Sequence, residues 1–97
     1  MGHPRHDLDS AFQTPIRLSL MAALLDASQI DFGTLRDLIE ADDSAVSKGI
    51  AYLEREGYVT TTKGYVAARP RTWIATTAMG RAAYARHLTA LRAIAEG

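Results

Sequence analysis

The residues of this chain that could do chemistry are mostly hydroxyls and cations, and they lie in two short stretches. The first stretch carries Ser44, Ser47 and Lys48. The second carries Lys63 and an Arg-Pro-Arg sequence at residues 69–71. Hydroxyl groups exchange hydrogen bonds with base edges and phosphates, and long cations attract phosphate oxygens. These side-chain types therefore indicate contacts with a polyanion.

Catalytic and metal-binding arrangements are not evident in the sequence. We find no nucleophile–base–acid arrangement and no glycine loop of the kind that cradles phosphate, so we do not expect an enzyme. The chain has no cysteine, which excludes disulfides and thiolate metal sites and favours a reducing cytoplasm. His3 and His6 are close in sequence but His87 is distant. We therefore predict no metal and no other cofactor.

Charge is divided unevenly along the 97 residues, although the formal net charge is zero. Residues 1–56 hold five Lys/Arg and ten Asp/Glu, whereas residues 57–97 hold six Lys/Arg and one acid, Glu96. Because attraction to phosphate depends on the local field, a net charge of zero does not exclude nucleic acid.

Length and composition predict one cytoplasmic domain over residues 1–97. Apolar residues make up 47% and charged residues 23%, which is a globular composition. The longest apolar stretch, residues 18–25, is too short to cross a membrane, so we expect no membrane partner. Residues 1–7 lead into no apolar segment typical of a secretion signal, and we expect them to be flexible.

Capping residues and helical periodicity predict two helices in the first half of the chain. A Thr-Pro pair at residues 14–15 is a helix start, since an N-cap oxygen precedes a residue with fixed φ. Leu8 and Phe12 are spaced as in an earlier helical segment that the proline interrupts or bends. A second helix is predicted over 33–41, after a short edge strand at 30–32 that a glycine ends.

A third helix is predicted to begin at Asp42 and Asp43, because an N-cap side chain and negative charge suit a helix N-terminus. Gly57 ends it. The apolar residues at helical spacing that should be buried are Val46, Ile50 and Leu53.

After Gly57 the period of the pattern changes from that of a helix to that of a strand. We predict strands at 58–63 and 72–76 with a loop or hairpin tip at 64–71 between them. Thr77 caps a last helix over 78–95. The order is α-β-α-α-β-β-α, which is mainly α with a small β-hairpin and is typical of a winged helix-turn-helix.

In a helix-turn-helix the second helix of the pair enters the major groove of DNA. Steps of 100° from the buried stripe turn the opposite side of the third helix outward. The predicted DNA-binding residues on this helix are Ser44, Ala45, Ser47, Lys48 and Tyr52. The alternative is that any amphipathic helix shows a polar face. The acids lie at the two ends of the helix, which favours the groove interpretation.

The hairpin tip adds Lys63, Arg69 and Arg71 to the predicted DNA-binding set. Their natural targets are phosphate oxygens or the narrow minor groove of an A·T-rich segment. The alternative is that Arg71 pairs with an acid, while Arg69 is a solvated residue at the hairpin tip.

The chain resembles the compact winged-helix regulators of the MarR/ArsR-like group, specifically the single-domain winged helix DNA-binding proteins. The matching stretches are Pro15-x-Arg17-Leu18, Phe32-x-x-Leu35, Ser47, Leu53-Glu54-x-x-Gly57-Tyr58-Val59, Lys63, Arg69-Pro70-Arg71-Thr72 and Thr77-x-x-Gly80-Arg81. Ala67 and Ala68 stand where the family usually carries a glycine and a further arginine, and Ala45 and Gly49 replace polar residues. Gly49 also costs about 1 kcal/mol in a helix interior. The resemblance implies a transcriptional regulator that binds double-stranded DNA and dimerises through its terminal helices.

The last helix, 78–95, is the predicted dimerisation helix, because part of its apolar surface needs a covering partner. The predicted interface residues are Leu8, Phe12, Tyr84, Leu88, Leu91 and Ile94. The alternative is that the helix folds back on a monomer. A small-molecule effector is also possible, with Trp73 and Tyr65 either lining its pocket or packing on the hairpin and core. The competing function is a winged helix that contacts only other proteins.

Overall fold

The computed structural model of the protein describes residues 2–97, and its elements follow the predicted order. Two 3-10 turns, Pro4–Asp7 and Ser10–Phe12, precede the first helix. The remaining elements are α1 (Pro15–Leu25), β1 (Ile30–Asp31), α2 (Phe32–Ile39), α3 (Asp43–Arg55), β2 (Val59–Val66), β3 (Arg69–Thr76) and α4 (Ala78–Ala95). The three strands form an antiparallel sheet in the order β1-β3-β2. The predicted winged helix-turn-helix architecture is confirmed.

Side-chain caps begin α1, α3 and α4 at Thr14, Asp42 and Thr77, where the sequence predicts them. The Thr14 side chain accepts a hydrogen bond from the N–H of Arg17 at the start of α1. Asp42 caps α3 in the same way, with 2.7 Å between its carboxylate and the nitrogen of Ala45. Each cap satisfies a backbone donor that the first turn leaves free.

The core lies where α1, α2 and α3 meet the sheet. The predicted stripe of α3, which is Val46, Ile50 and Leu53, is buried. The largest side chains that join it without exposure to solvent are Leu20, Met21, Leu35 and Ile74. Burial of this apolar surface holds α3 against α1 and fixes which side of α3 faces outward.

Gly49 is a packing residue of α3. A Cβ atom at this position would lie 2.6 Å from the Cδ1 atom of Leu20 and 3.3 Å from the Cγ2 atom of Ile16. The glycine therefore allows α1 and α3 to approach each other closely, which offsets its cost of about 1 kcal/mol in helix propensity.

The N-terminal segment forms turns that pack against the rest of the domain. The turn Pro4–Asp7 packs against α4, and Leu8 separates it from a second turn, so one continuous helical segment through Leu8 and Phe12 is not formed. The backbone N–H of Asp9 donates to Nδ1 of His87 over 2.9 Å. These contacts fasten the segment to α4. Met1 lies outside the described residues.

The hairpin is longer and more regular than predicted, and the loop expected at 64–71 is wrong. β2 runs to Val66 and β3 begins at Arg69, so only Ala67 and Ala68 form the turn. Both alanines have a positive φ, 50° and 65°. A two-residue turn with both φ values positive matches the twist of the strands, although alanine is not a residue that favours it.

The boundaries of β1 and α2 also differ from the prediction. β1 ends at Asp31, because the carboxylate of Asp31 accepts hydrogen bonds from the N–H and the hydroxyl of Thr34 and so begins α2. Gly33 therefore lies inside α2 and does not end a strand. The helix ends at Ile39, since Glu40 adopts a left-handed φ of 53°.

Candidate nucleic-acid interface

The outward side of α3 carries the predicted polar residues. Ser44, Ser47 and Lys48 are exposed, while Ala45 and Tyr52 are half-buried. The small side chains along this side leave room for a surface to approach the helix closely. The arrangement suits insertion into a major groove, which is wide enough for one helix.

The acid at the start of α3 is compensated by a neighbouring cation. Nη1 of Arg36 lies 2.9 Å from the carboxylate of Asp43, and its Nε lies 3.1 Å from that of Asp37. These hydrogen bonds, that with Asp43 first, raise the pKa of Arg36. The pair offsets the negative charge that Asp43 brings to the outward end of the helix.

Two arginines surround the Tyr52 ring. Helical steps from the buried stripe place Arg55 on the outward side of α3, but neither arginine belongs to the predicted DNA-binding set. Cζ of Arg17 lies 3.9 Å from the ring centroid, and Cζ of Arg55 lies 5.6 Å from it. Nε of Arg17 also donates to the carbonyl of Ala11 over 2.7 Å, and Nη2 donates to the carbonyl of Ser10 over 3.1 Å. These contacts fix the position of the Arg17 guanidinium. For Arg17, the Pro15-x-Arg17 motif was the only signal in the sequence.

A groove of about 450 Å³ runs between the first turns of α1 and the outward side of α3. Its lining residues are Thr14, Ile16, Arg17, Ala45, Lys48, Gly49, Ala51, Tyr52 and Arg55. Three of them are cations. Within residues 2–97, no carboxylate lies within 4.0 Å of the charged nitrogens of Arg17, Lys48 or Arg55. The groove therefore carries uncompensated positive charge.

The wing, which we define as residues 63–71, places its cations on two sides of the sheet. Lys63 faces Thr72 across the strands and lies on the same side as the buried Ile74. Arg69 and Arg71 lie on the other side, because successive residues of a strand alternate between faces. The three cations that the sequence places together therefore do not converge.

Arg71 is held near an acid. Its Nη1 lies 3.8 Å from the carboxylate of Asp31, which is the alternative that the sequence left open. The pKa of Asp31 is lowered, mainly by the hydrogen bond from the Thr34 hydroxyl. The charge of Arg71 is one of the smaller causes. Arg69 is exposed and has no ion pair within the described chain.

The side of α3 that faces the hairpin differs from the side that faces α1. The hydroxyl of Thr61 donates to the carboxylate of Glu54 over 2.8 Å, so this acid is directed towards β2. Ser47, Ala51 and Glu54 line a shallow depression next to Thr72. One flank of α3 is therefore basic, and the other carries hydroxyls and a carboxylate.

Comparison with known families identifies the fold. The sequence model of the winged helix DNA-binding domain family matches residues 16–95. The chain belongs to this family. As a member of it the protein is a winged-helix transcriptional regulator and not an enzyme, as the sequence led us to expect. No curated protein gave a significant match to the sequence.

Solved structures agree with this assignment. The transcriptional regulator homologue from Pyrococcus horikoshii OT3 is 30% identical, with a TM-score of 0.88 over 100% of this chain and 97% of that chain. MosR from M. tuberculosis, determined in complex with DNA, is 22% identical, with a TM-score of 0.72 over 95% of this chain and 65% of that one. PcaV from Streptomyces coelicolor, determined with its natural ligand, is 16% identical, with a TM-score of 0.77 over 95% and 64%. The two latter likenesses show the fold.

Two of the predicted interface residues of this winged helix protein lie in the core of the single chain. The Phe12 ring stacks on Tyr58 with 5.4 Å between centroids and meets the Tyr84 ring edge-on at 5.5 Å. Phe12 and Tyr84 therefore do not form an exposed patch. Their spacing indicated an apolar face, but the ring of Tyr58, from a distant part of the chain, covers it.

The other predicted interface residues remain at the surface. Leu8 and Leu88 are half-buried, while Leu91 and Ile94 are 37% and 38% exposed. They lie where the N-terminal segment meets the last turns of α4. The exposed apolar surface is therefore smaller than the sequence suggested and is concentrated at this end of the helix.

An open, mostly apolar cavity of about 480 Å³ lies between the N-terminal segment, α1 and α4. It is lined by Leu8, Phe12, Gln13, Thr14, Pro15, Leu18, Ser19, His87 and Leu91. His87 is 2% exposed and burial lowers its pKa, so the ring is neutral and accepts the Asp9 hydrogen bond. Trp73 and Tyr65 do not line this cavity, since Trp73 is half-buried opposite Asp31 and Tyr65 is exposed on the wing.

Asp9 connects this cavity to the hairpin. Its carboxylate accepts hydrogen bonds from the N–H of Ala11 and from the hydroxyl of Tyr58, the latter over 2.6 Å. The hydrogen bond to Asp9 is the main cause that raises the pKa of Tyr58 to about 12. Tyr58 therefore remains a protonated donor at neutral pH.

Two further findings concern metal ions and membranes. Among residues 2–97, no three His, Cys, Asp or Glu side chains are grouped so that they could hold a metal ion. Over the same residues, no helix has the length and apolar character needed to cross a membrane.

Proposed function

We propose that this regulator binds duplex DNA with sequence preference and acts as a homodimer, with α3 in the major groove. The observation that carries the proposal is the outward side of α3, where hydroxyls and Lys48 are exposed and the acid Asp43 is paired with Arg36. Two copies related by a two-fold axis would place their α3 helices in successive major grooves, about 34 Å apart.

Different residues have different roles in this proposal. Ser44 and Ser47 contact base edges from the first turns of α3, and the small Ala45 lets the helix approach the groove. Lys48 reaches a guanine edge or a phosphate. Tyr52 belongs to the predicted contact set.

The wing contacts the DNA backbone or the minor groove. Lys63 and Arg69 are exposed on opposite sides of the ribbon, so each reaches a different part of the duplex. Arg71 contributes less than a free cation, because Asp31 already lies 3.8 Å from it. Contacts of the wing with the backbone would fix the position of the protein on the duplex and carry little sequence information.

A second copy of the chain covers the apolar end of α4. Leu91 and Ile94 are more than one-third exposed and lie beside Leu8 and Leu88. A chain of this size has a small core and gains stability from burying such a patch. Phe12 and Tyr84 are buried in the core under this interface and do not contact the second copy directly.

A mobility-shift titration tests the proposed DNA binding. Purified protein is titrated against duplex DNA from upstream of its own coding region, at low and at moderate salt. We expect saturable binding that prefers this DNA over an unrelated duplex and weakens steeply with salt. Absence of binding, or binding that ignores sequence and salt, would favour a winged helix that contacts only proteins.

The cavity beside His87 supports a second proposal, that a small molecule regulates DNA binding. It is largely apolar with one neutral imidazole, which suits a small aromatic compound. The PcaV regulator, which shares the fold, was determined with its natural ligand. Phenol can serve as the probe, and it should raise the melting temperature of the protein. Leu18→Trp, which fills the cavity, should abolish that rise, whereas an equal rise in the variant would place binding elsewhere.

A further inference from the structure

The basic flank of α3, which we define as Arg17, Lys48 and Arg55, brings together cations from two helices. Lys48, Tyr52 and Arg55 follow one another at helical spacing on α3, so they form one stripe. Arg17 comes from the first turn of α1 and lies against the same Tyr52 ring. The contact between the two helices therefore assembles a cluster that the sequence does not show.

The Arg17 guanidinium is held in place before any partner binds. Two of its five N–H donors are used by the carbonyls of Ala11 and Ser10, which leaves three for a partner. The Tyr52 ring supports the guanidinium plane at 3.9 Å. An arginine that is already ordered loses less side-chain entropy when it binds an anion.

Within residues 2–97, no carboxylate forms an ion pair with the three cations of the basic flank. Of the acids on α3, Asp43 pairs with Arg36 and Glu54 accepts a hydrogen bond from Thr61. Arg17 and Arg55 are like charges that approach one aromatic ring. A row of phosphates along this flank would relieve their repulsion.

We propose that Arg17, Lys48 and Arg55 bind the phosphates of one DNA strand beside the major groove, and that Tyr52 positions the two arginines instead of reading a base. This inference rests on the proposed DNA binding and assigns the main backbone contact. The contact lies on the α1 side of α3 and not on the wing. Because the opposite flank carries Glu54, the assignment also fixes which edge of α3 faces that strand.

The charge contribution is tested by the salt dependence of binding. A fluorescein-labelled duplex of about 30 base pairs and mixed sequence serves as the probe, since phosphate contacts do not depend on sequence. Each substitution removes one phosphate contact per subunit, so Arg17→Gln and Arg55→Gln should each reduce the slope of log K against log salt by about 1.8 for the homodimer. Arg5→Gln removes the same charge from the N-terminal turn that packs on α4, and it should leave the slope unchanged.

The role of Tyr52 is tested with two substitutions. Tyr52→Phe keeps the ring and should retain both the affinity and the salt slope of the natural protein. Tyr52→Ala removes the ring and should weaken binding to all duplexes alike, by several-fold. A loss of preference between duplexes in Tyr52→Phe would show that the hydroxyl reads a base, and that result would overturn the positioning role.

Folding defects are separated from binding defects by two further measurements. Arg17→Lys keeps the charge but not the fork of donors, so it should retain the slope while lowering affinity. Arg55 is exposed, and the melting temperature of Arg55→Gln should be close to that of the natural protein. If the natural protein shows salt-dependent binding that neither arginine variant changes, the assignment of phosphate contacts to the basic flank is wrong and the proposed function stands. If the natural protein shows no salt-dependent binding, both fall.

Discussion

Two regions of this molecule carry three cations each, and the fold separates the cations of one region while it brings those of the other together. In the wing, Lys63 lies on one side of the ribbon while Arg69 and Arg71 lie on the other. In the basic flank, Arg17, Lys48 and Arg55 face one groove. The wing cations are closer in sequence, yet the alternation of strand residues separates them. Closeness in sequence is therefore a poor guide to a shared binding surface.

The two regions also differ in the contacts and the backbone conformation that hold them in place. The basic flank rests on the close contact between α1 and α3 that Gly49 allows, and hydrogen bonds to the N-terminal segment hold Arg17. The wing ends in a turn of two alanines with positive φ, which L-residues adopt at a cost. We infer that the flank is preorganised for an anion, whereas the turn of the wing carries backbone strain.

The largest expected effect comes from removing two charges from each region. Lys48→Gln with Arg55→Gln should lower affinity for duplex DNA roughly tenfold to hundredfold at about 0.1 M salt. Arg69→Gln with Arg71→Gln should lower it less, because one of those charges is already paired with Asp31. Fluorescence anisotropy measures both pairs. An equal or greater loss in the wing variant would reverse the comparison.

The strain in the wing can be relieved without changing its charge. Ala67→Asn with Ala68→Gly supplies residues that favour a turn with both φ values positive, and it should stabilise the protein by about 1 kcal/mol. Urea denaturation measures the free energy of unfolding. Ala22→Gly, at an exposed position of α1, is the contrasting control and should destabilise by about 1 kcal/mol. If the turn variant is also destabilised, the alanine turn carries no strain.

Removing the acid that pairs with Arg71 should increase the contribution of the wing to DNA affinity, by a smaller amount. Asp31→Asn removes the paired carboxylate but keeps an oxygen that can cap α2, so stability should change little. Affinity for DNA should rise by a few-fold, with a steeper dependence on salt. Asp26→Asn removes the charge of an exposed acid that has no ion pair within the described chain. An equal gain in this control would mean that net charge alone is responsible.

The smallest expected effect is a dependence of stability on pH through His87. Burial lowers its pKa below the ordinary 6.5, so the folded protein holds the ring neutral while the unfolded chain takes up a proton first. Stability is therefore full above the unfolded pKa and declines as the pH falls from 6.5 towards the lower folded pKa. Protonation of Nδ1 would also break the hydrogen bond from Asp9, which helps to hold the segment that binds Arg17.

Urea denaturation between about pH 7.5 and about pH 5.5 measures this effect. His87→Gln should show a flatter profile, and its side-chain oxygen can still accept from Asp9. A profile as steep as that of the natural protein would assign the pH dependence to groups other than His87.

The sequence predicts the fold well because its strongest signals are local. The caps at Thr14 and Asp42 and the stripe of α3 occur where they are expected. The wing was misjudged because Gly64 and Pro70 are typical of turns and the two alanines are not. The end of β1 was misjudged in the same way. Gly33 was expected to end the strand, but the cap formed by Asp31 decides where it ends.

The candidate site was harder to predict because it depends on contacts between elements. Arg17 joins Tyr52 only through the packing of α1 on α3, which no spacing along the chain reveals. Phe12 and Tyr84 were assigned to an interface because periodicity shows that a face is apolar but not which residues cover it. The pairing of Arg71 with Asp31 depends on the register of β1 and β3.

The most direct test of the central claim is to map the amide resonances of isotope-labelled protein as duplex DNA is added. We predict that the largest chemical-shift changes occur in α3 and in the first turn of α1, around Arg17, with smaller changes in the wing. The wing changes should centre on residues 63–71. Changes concentrated on α4, or in the wing with α1 and α3 unaffected, would contradict the proposed binding surface.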